Sequence, residues 1–328
     1  MKIAVLGGGA WGSVLASLLA EARHDVALWE MDQAAAAALQ ADRRGPRSLP
    51  GHLLPASIAV TDDVTTAVRG RAMVVLAVPS ETIGATLAAA RAALDDGVII
   101  ACASKGLEPS TLQTMDRVIE GAIPHAAVVL LSGPTFAQEI ARGLPAAAVA
   151  ASRDAGAAGT VQGCFASERF RIYTSDDVVG VAVGGALKNV IAIAVGACDG
   201  FGFGNNARAA LITRGLAEMG RLAARLGADP MTLAGLAGLG DLVLTCTGEL
   251  SRNRQVGLAL ARGEALPAIL TTLGHIAEGI GTARTARSLA DRLNVDMPIT
   301  RLTAAVLHDG KSARDGVTEL LSRAPRAE

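Results

Sequence analysis

Residues 2–12 read KIAVLGGGAWG. The short apolar run Ile3–Leu6 leads straight into Gly7-x-Gly9-x-x-Gly12, and an Ala- and Leu-rich stretch of helix length follows. In a strand–turn–helix unit each glycine has its own task. Gly7 allows the tight turn, Gly9 lets backbone amides approach a pyrophosphate, and Gly12 lets the helix pack against the strand, with the phosphates on the helix N-terminus. Glu30 closes the next apolar run, 23 residues past Gly7, where a carboxylate accepts from adenosine ribose hydroxyls. The strand before, the helix after and the acid at that distance separate this pattern from a lone glycine-rich turn.

Working outward, the first half alternates short β-branched runs with helical stretches such as Trp11–Glu21 and Ser80–Leu94. The expected strands are Lys2–Leu6, Asp25–Glu30, Ser57–Thr61, Ala72–Val78, Gly97–Ala103, Ala127–Ser132, Ala146–Ala151 and Arg169–Thr174. Continuous apolar strands separated by helices predict a parallel sheet covered on both faces. Beyond Ser175 the strand signals stop, and Val178–Ala197, Asn206–Leu226, Pro230–Gly235, Arg252–Arg262, Gly279–Arg292 and Ile299–His308 read as helices. The fold class is therefore α/β: a Rossmann-type doubly wound sheet over residues 1–175, followed by an all-α domain over 176–328. Only Ala324–Glu328 reads as a frayed tail.

Composition narrows the function. Thirty basic and 31 acidic residues leave a net charge of −1, without the basic footprint that nucleic acid demands, and 2% aromatics removes the stacking platforms of single-strand binders. The four cysteines stand singly, with no metal-ligand spacing, so no metal is expected. A reducing cytoplasm is the simplest setting. The N-terminus carries no signal-type segment and enters the fold directly. The Gly- and Ala-rich helices permit a homodimer.

Lysine usage is more pointed. The chain has four lysines against 26 arginines, and one of the four, Lys188, is the single charge between Val178 and Cys198. Desolvation lowers a lysine pKa towards neutrality, which Arg does not offer, so Lys188 is a candidate general acid/base, with a snorkelling lysine at a core rim as the alternative. A membrane span is disfavoured, since Lys at its centre would cost roughly 2.5–3.5 kcal/mol. Two turns at strand ends add Lys105, in Ser104-Lys105-Gly106, and Ser132-Gly133-Pro134-Thr135. Later, Gly238-Leu239-Gly240-Asp241 places a carboxylate beside glycines, and Ser251-Arg252-Asn253-Arg254 opens a helix with two guanidiniums suited to a dianion. Ser251 is equally an ordinary N-cap.

Three blocks together resemble a family, the bacterial-type NAD(P)-dependent glycerol-3-phosphate dehydrogenases: Ser132 through Glu139; Gly184 through Asn189 with Asn205 through Ala210; and Gly238 through Arg254. The likeness covers nearly the whole chain. It implies reduction of dihydroxyacetone phosphate to sn-glycerol 3-phosphate for glycerophospholipid synthesis, with Lys188 as acid/base and Asp241 orienting it. It also implies substrate contacts from Lys105, Gly133, Thr135, Ser251, Arg252 and Asn253, and a dinucleotide bordered by Trp11, Lys105, Ala137, Arg252, Ile276 and Glu278.

The sequence departs from the family at the adenosine end. Where relatives place a basic residue able to neutralise a 2′-phosphate, Trp29-Glu30-Met31-Asp32 offers two carboxylates and a thioether, so NADH is expected over NADPH unless Arg43, Arg44 or Arg47 folds in. Ser48 replaces the family's aromatic before Leu49-Pro50-Gly51, thinning the adenine wall. Two other readings stand beside this one. A related dehydrogenase for a 3-hydroxy acid or sugar acid would not need Ser251-Arg252-Asn253, and a dinucleotide sensor without turnover would not need Lys188 and Asp241.

Overall fold

The computed structural model describes residues 1–273 and 277–322. Eight strands, β1 (Lys2–Leu6), β2 (Asp25–Trp29), β3 (Ala59–Thr61), β4 (Met73–Leu76), β5 (Ile99–Cys102), β6 (Ala127–Ser132), β7 (Ala146–Ala151) and β8 (Phe170–Ser175), form one sheet. Its order is β3-β2-β1-β4-β5-β6-β7-β8. From β1 the chain winds outward through β2 and β3, then returns to β4 on the other side of β1 and winds the opposite way. This reversal between β1 and β4 makes a topological switch point, and α/β ligands bind above strand carboxyl ends at such points. The connecting helices fall into two mutually contacting groups. Ala10–Glu21, Ala137–Ala141 and Ala155–Phe165 form one, and Val64–Val68, Ile83–Ala90 and Met115–Ala122 the other, as expected when right-handed crossovers change direction.

Local chemistry starts several of these helices. Asp32, Asp63 and Asp154 each accept backbone N–H bonds from the first turn that follows them, satisfying donors the helix itself leaves unpaired. Ile3, Val5, Leu15, Leu19, Leu28, Met73, Val75 and Phe170 are buried in one core cluster that holds this unit together, each contributing roughly 1.5–3 kcal/mol.

The sheet is not parallel throughout: β7 runs antiparallel to β6. The link between them carries only the five-residue helix Ala137–Ala141, which at 1.5 Å per residue spans about 7 Å. Parallel pairing usually takes a crossover helix long enough to lie along the sheet, and a six-residue strand covers roughly 20 Å. This link turns instead. The 11-residue helix Ala155–Phe165 does make the return, and β8 lies parallel to β7.

The chain divides into two compact units, one of Met1–Lys105 with Gln113–Ala182 and the other of Gly106–Leu112 with residues from Val183 onward. The second is helical. Its central element, Val178–Gly200, is long and apolar enough to cross a membrane, but 83% of its most apolar window is buried inside the protein, which marks a core helix. Around it run Gly204–Arg225, Asp241–Thr247, Arg252–Ala261, Leu266–Leu273, Glu278–Leu293, Pro298–His308 and Ala313–Leu321. The predicted helix Pro230–Gly235 is a 3-10 turn, Pro230–Ala234, followed by a π-helical turn, Leu236–Gly240.

Candidate functional site

In the sheet unit, the turn after β1 is built as its glycines require. Gly7 sits at φ +118°, and a Cβ there would lie 2.7 Å from the carbonyl oxygen of Ala77, just past β4. A Cβ on Gly12 would lie 1.9 Å from the Gly7 carbonyl oxygen, so the helix Ala10–Glu21 packs directly on the strand end. Gly9 differs. It is exposed and a Cβ there would meet nothing within 4 Å, so the protein itself makes no use of its smallness. That is the fit a pyrophosphate requires: bare backbone amides at a helix N-terminus, open to close approach.

Glu30 is half-buried and turned back towards this turn. Its Oε2 accepts from the Gly8 amide at 3.0 Å and its Oε1 from the Asp32 amide at 3.1 Å. Each carboxylate oxygen retains a lone pair for a ribose hydroxyl. Met31 beside it is 75% exposed. Trp11 is half-buried, packed on the sheet core. Arg43, one of the three arginines expected to fold in, donates to the Ile58 carbonyl at 2.6 Å, while Arg44 and Arg47 are exposed.

At the ends of β5 and β6 the structure brings three expected residues together. Lys105 Nζ donates to the Gly133 carbonyl at 3.0 Å, and Thr135 Oγ1 donates to the same oxygen at 3.1 Å. Ala137 opens the short helix that follows.

In the helical unit, Lys188 is 7% exposed and its ammonium donates to Oδ1 of Asp241, itself 1% exposed, and to Thr245 Oγ1 at 3.0 Å. The π turn explains the approach. A Cβ at Gly184, one helical turn before Lys188, would lie 2.5 Å from the Ala237 carbonyl, so the turn rests directly on the lysine's helix and delivers Asp241 to it. π turns of this kind often mark functional sites. Thr245 escaped the sequence reading, although a residue four after Asp241 in a helix shares its face. Cys246 next to it stays a thiol, since burial pushes its pKa up.

A second cluster adjoins on the same helix. Asn253 Nδ2 donates to Asn189 Oδ1 at 2.9 Å, and Asn253 Oδ1 accepts from the Gly279 amide at 3.0 Å, next to Glu278 at its helix start. Ser251 is the N-cap of Arg252–Ala261, accepting from the Arg254 amide at 3.2 Å, and Arg252 is exposed. The expectation of two guanidiniums for one dianion needs correcting. Arg254 is bound to Asp199 through Nε at 2.9 Å and Nη2 at 2.7 Å, which leaves Arg252 as the outward guanidinium. Ile276 lies outside the described residues.

Known proteins match this chain along its length. The profile for the N-terminus of NAD-dependent glycerol-3-phosphate dehydrogenase covers residues 2–158, and that for the C-terminus covers 177–318. A glycerol-3-phosphate dehydrogenase [NAD(P)+] of Geobacter metallireducens is 50% identical over 100% of this chain and 98% of its own. One from Anaeromyxobacter sp. is 49% identical over the full length of both. The crystal structure of glycerol-3-phosphate dehydrogenase from Coxiella burnetii superposes with a TM-score of 0.96 at 36% identity, covering 98% of this chain and 99% of that one. Matched in both halves and about half identical over its whole length, the chain belongs to the NAD-dependent glycerol-3-phosphate dehydrogenase family.

Proposed function

We propose that this chain catalyses the reversible NAD(P)H-dependent reduction of dihydroxyacetone phosphate to sn-glycerol 3-phosphate, with Lys188 as general acid/base. The observation that carries the proposal is the buried Lys188 ammonium, held between the Asp241 carboxylate and the Thr245 hydroxyl. A bound nicotinamide supplies the hydride. Lys188 Nζ then gives its proton to the C2 carbonyl oxygen as negative charge develops there, and Asp241 keeps the lysine aimed and charged before the transfer. In the reverse direction the neutral amine takes the hydroxyl proton.

The remaining residues bind. Gly7, Gly9 and Gly12 receive the pyrophosphate, Glu30 the adenosine ribose, and Trp11, Ala137, Ile276 and Glu278 border the dinucleotide. Arg252, with Ser251 and Asn253, holds the substrate phosphate, so a group that does not react positions the carbon that does. Lys105, Gly133 and Thr135 complete the substrate contacts. In this reading residues 1–175 carry the dinucleotide and 176–328 the chemistry, NADH is preferred, and the product feeds glycerophospholipid synthesis. The test is NADH oxidation on adding dihydroxyacetone phosphate, with unphosphorylated dihydroxyacetone as control. Rapid oxidation with the first and little with the second supports the proposal; equal rates would remove the phosphate site from it.

A further inference from the structure

The helix that carries Lys188 carries a second buried charge three turns further on. Asp199 lies 11 residues after Lys188 in Val178–Gly200, on nearly the same face and about 16 Å along the axis. Its side chain is 4% exposed and both oxygens are engaged: Oδ1 takes Arg208 Nε at 2.7 Å, and Oδ2 takes Arg254 Nε at 2.9 Å and Nη2 at 2.7 Å. Arg254 belongs to the first turn of Arg252–Ala261, two residues after Arg252, and its amide also donates to the Ser251 cap.

Packing fixes where this helix crosses the other. A Cβ on Gly257 would lie 2.0 Å from the Ile193 carbonyl, and one on Gly196 would lie 2.1 Å from the Arg254 carbonyl, so the two backbones are in direct contact. That contact, with the Asn253–Asn189 hydrogen bond, sets the separation and register of the two helices and limits rotation of the first turn of Arg252–Ala261 about its axis. Rotation there would carry Ser251, Arg252 and Asn253 away from Lys188's helix. The forked, two-nitrogen contact of Arg254 on a buried carboxylate is directional and opposes that rotation. It also commits the Arg254 charge to Asp199, so Arg252 is the guanidinium of this turn that faces outward.

We propose that Asp199 is a positioning residue: through Arg254 it holds the first turn of Arg252–Ala261 in register with Lys188, and so sets affinity for the phosphate of the substrate. The inference rests on the reading of Arg252 and Asn253 as the phosphate site. Its signature is a rise in KM rather than a fall in kcat, because Lys188, Asp241 and Thr245 are untouched.

The experiment is steady-state kinetics of Asp199→Asn, Arg254→Met and the double variant, with Arg252→Ala alongside and inorganic phosphate as competitive inhibitor. Each single variant is expected to raise KM for dihydroxyacetone phosphate at least about tenfold and to weaken phosphate inhibition in step, with kcat at saturation within about threefold of wild type. The double variant should be no worse than either single one, because the two residues act as a unit. If Asp199→Asn fails to fold, the conservative Arg254→Lys carries the test with the same expected rise in KM. Unchanged KM in folded variants, additive losses, or a loss confined to kcat would overturn the inference. If Arg252→Ala raises KM and the Asp199 and Arg254 variants do not, only this inference falls; if Arg252→Ala leaves KM unchanged, the phosphate site itself is misplaced.

Discussion

The Gly8 amide donates to Glu30 Oε2 at 3.0 Å, tying the end of β2 to the glycine turn after β1. A second amide, from Asp32, holds the other oxygen, so the carboxylate is fixed beside the place where a helix N-terminus offers its amides to phosphate.

Cofactor choice follows from that fixed charge. A 2′-phosphate brought near Glu30 at moderate screening should cost on the order of 1–3 kcal/mol, or roughly ten- to a hundredfold in kcat/KM. Arg43, committed to the Ile58 carbonyl, is not placed to offset it. NADH is therefore expected to outperform NADPH by that factor at fixed ionic strength, and Met31→Arg, at an exposed position next to Glu30, should narrow the gap. Equal kcat/KM for the two cofactors would instead point to Arg44 or Arg47.

The proposed phosphate site gives a separate expectation. Arg252 is the outward guanidinium at the start of its helix, so Arg252→Ala should raise KM for dihydroxyacetone phosphate by roughly ten- to a hundredfold, the usual loss of one charge-assisted contact. Substrate saturation curves check it. The effect should shrink as salt is raised.

Stability should respond to pH through a residue outside the site. Glu218 is 1% exposed and accepts from the Ile299 amide at 2.6 Å and from the Thr300 amide and hydroxyl, each at 3.1 Å, capping Pro298–His308 from another helix. Burial pushes its carboxyl from 4.5 up to about 7, against the pull of those hydrogen bonds. Because the folded pKa lies above the unfolded one, the stability this group adds is complete below about pH 4.5 and is lost as pH rises through about 7; the shift corresponds to roughly 3 kcal/mol. The Tm of wild type minus that of Glu218→Gln should fall between pH 5 and pH 8. A difference that is flat with pH would place the Glu218 carboxyl back in the ordinary range.

Much of this was legible in the sequence, and the exceptions have physical reasons. Each of the eight strands lies within two residues of its expected ends, because buried strands carry uninterrupted apolar runs. The reversal of β7 did not register, since periodicity reports where strands are and not which way they run. The glycines beside Asp241 were legible but the π geometry of their turn was not, since the turn rests on Gly184, more than 50 residues away in sequence. Arg254 looked like a partner for Arg252 because the two are neighbours in sequence. Its actual partner, Asp199, meets it only where two helices cross. Glu218 reads locally as one more acid on a charged helix, and only tertiary packing makes it a buried cap.

The most direct test of the account is a single comparison: kcat of Lys188→Arg against wild type with dihydroxyacetone phosphate, together with the dissociation constant for NADH. Arginine keeps the positive charge beside Asp241 but does not release a proton near neutrality. The account expects kcat to fall by roughly two to four decades while NADH binds nearly as before. Wild-type turnover by Lys188→Arg would contradict it, and would leave the buried lysine as a structural charge paired with Asp241.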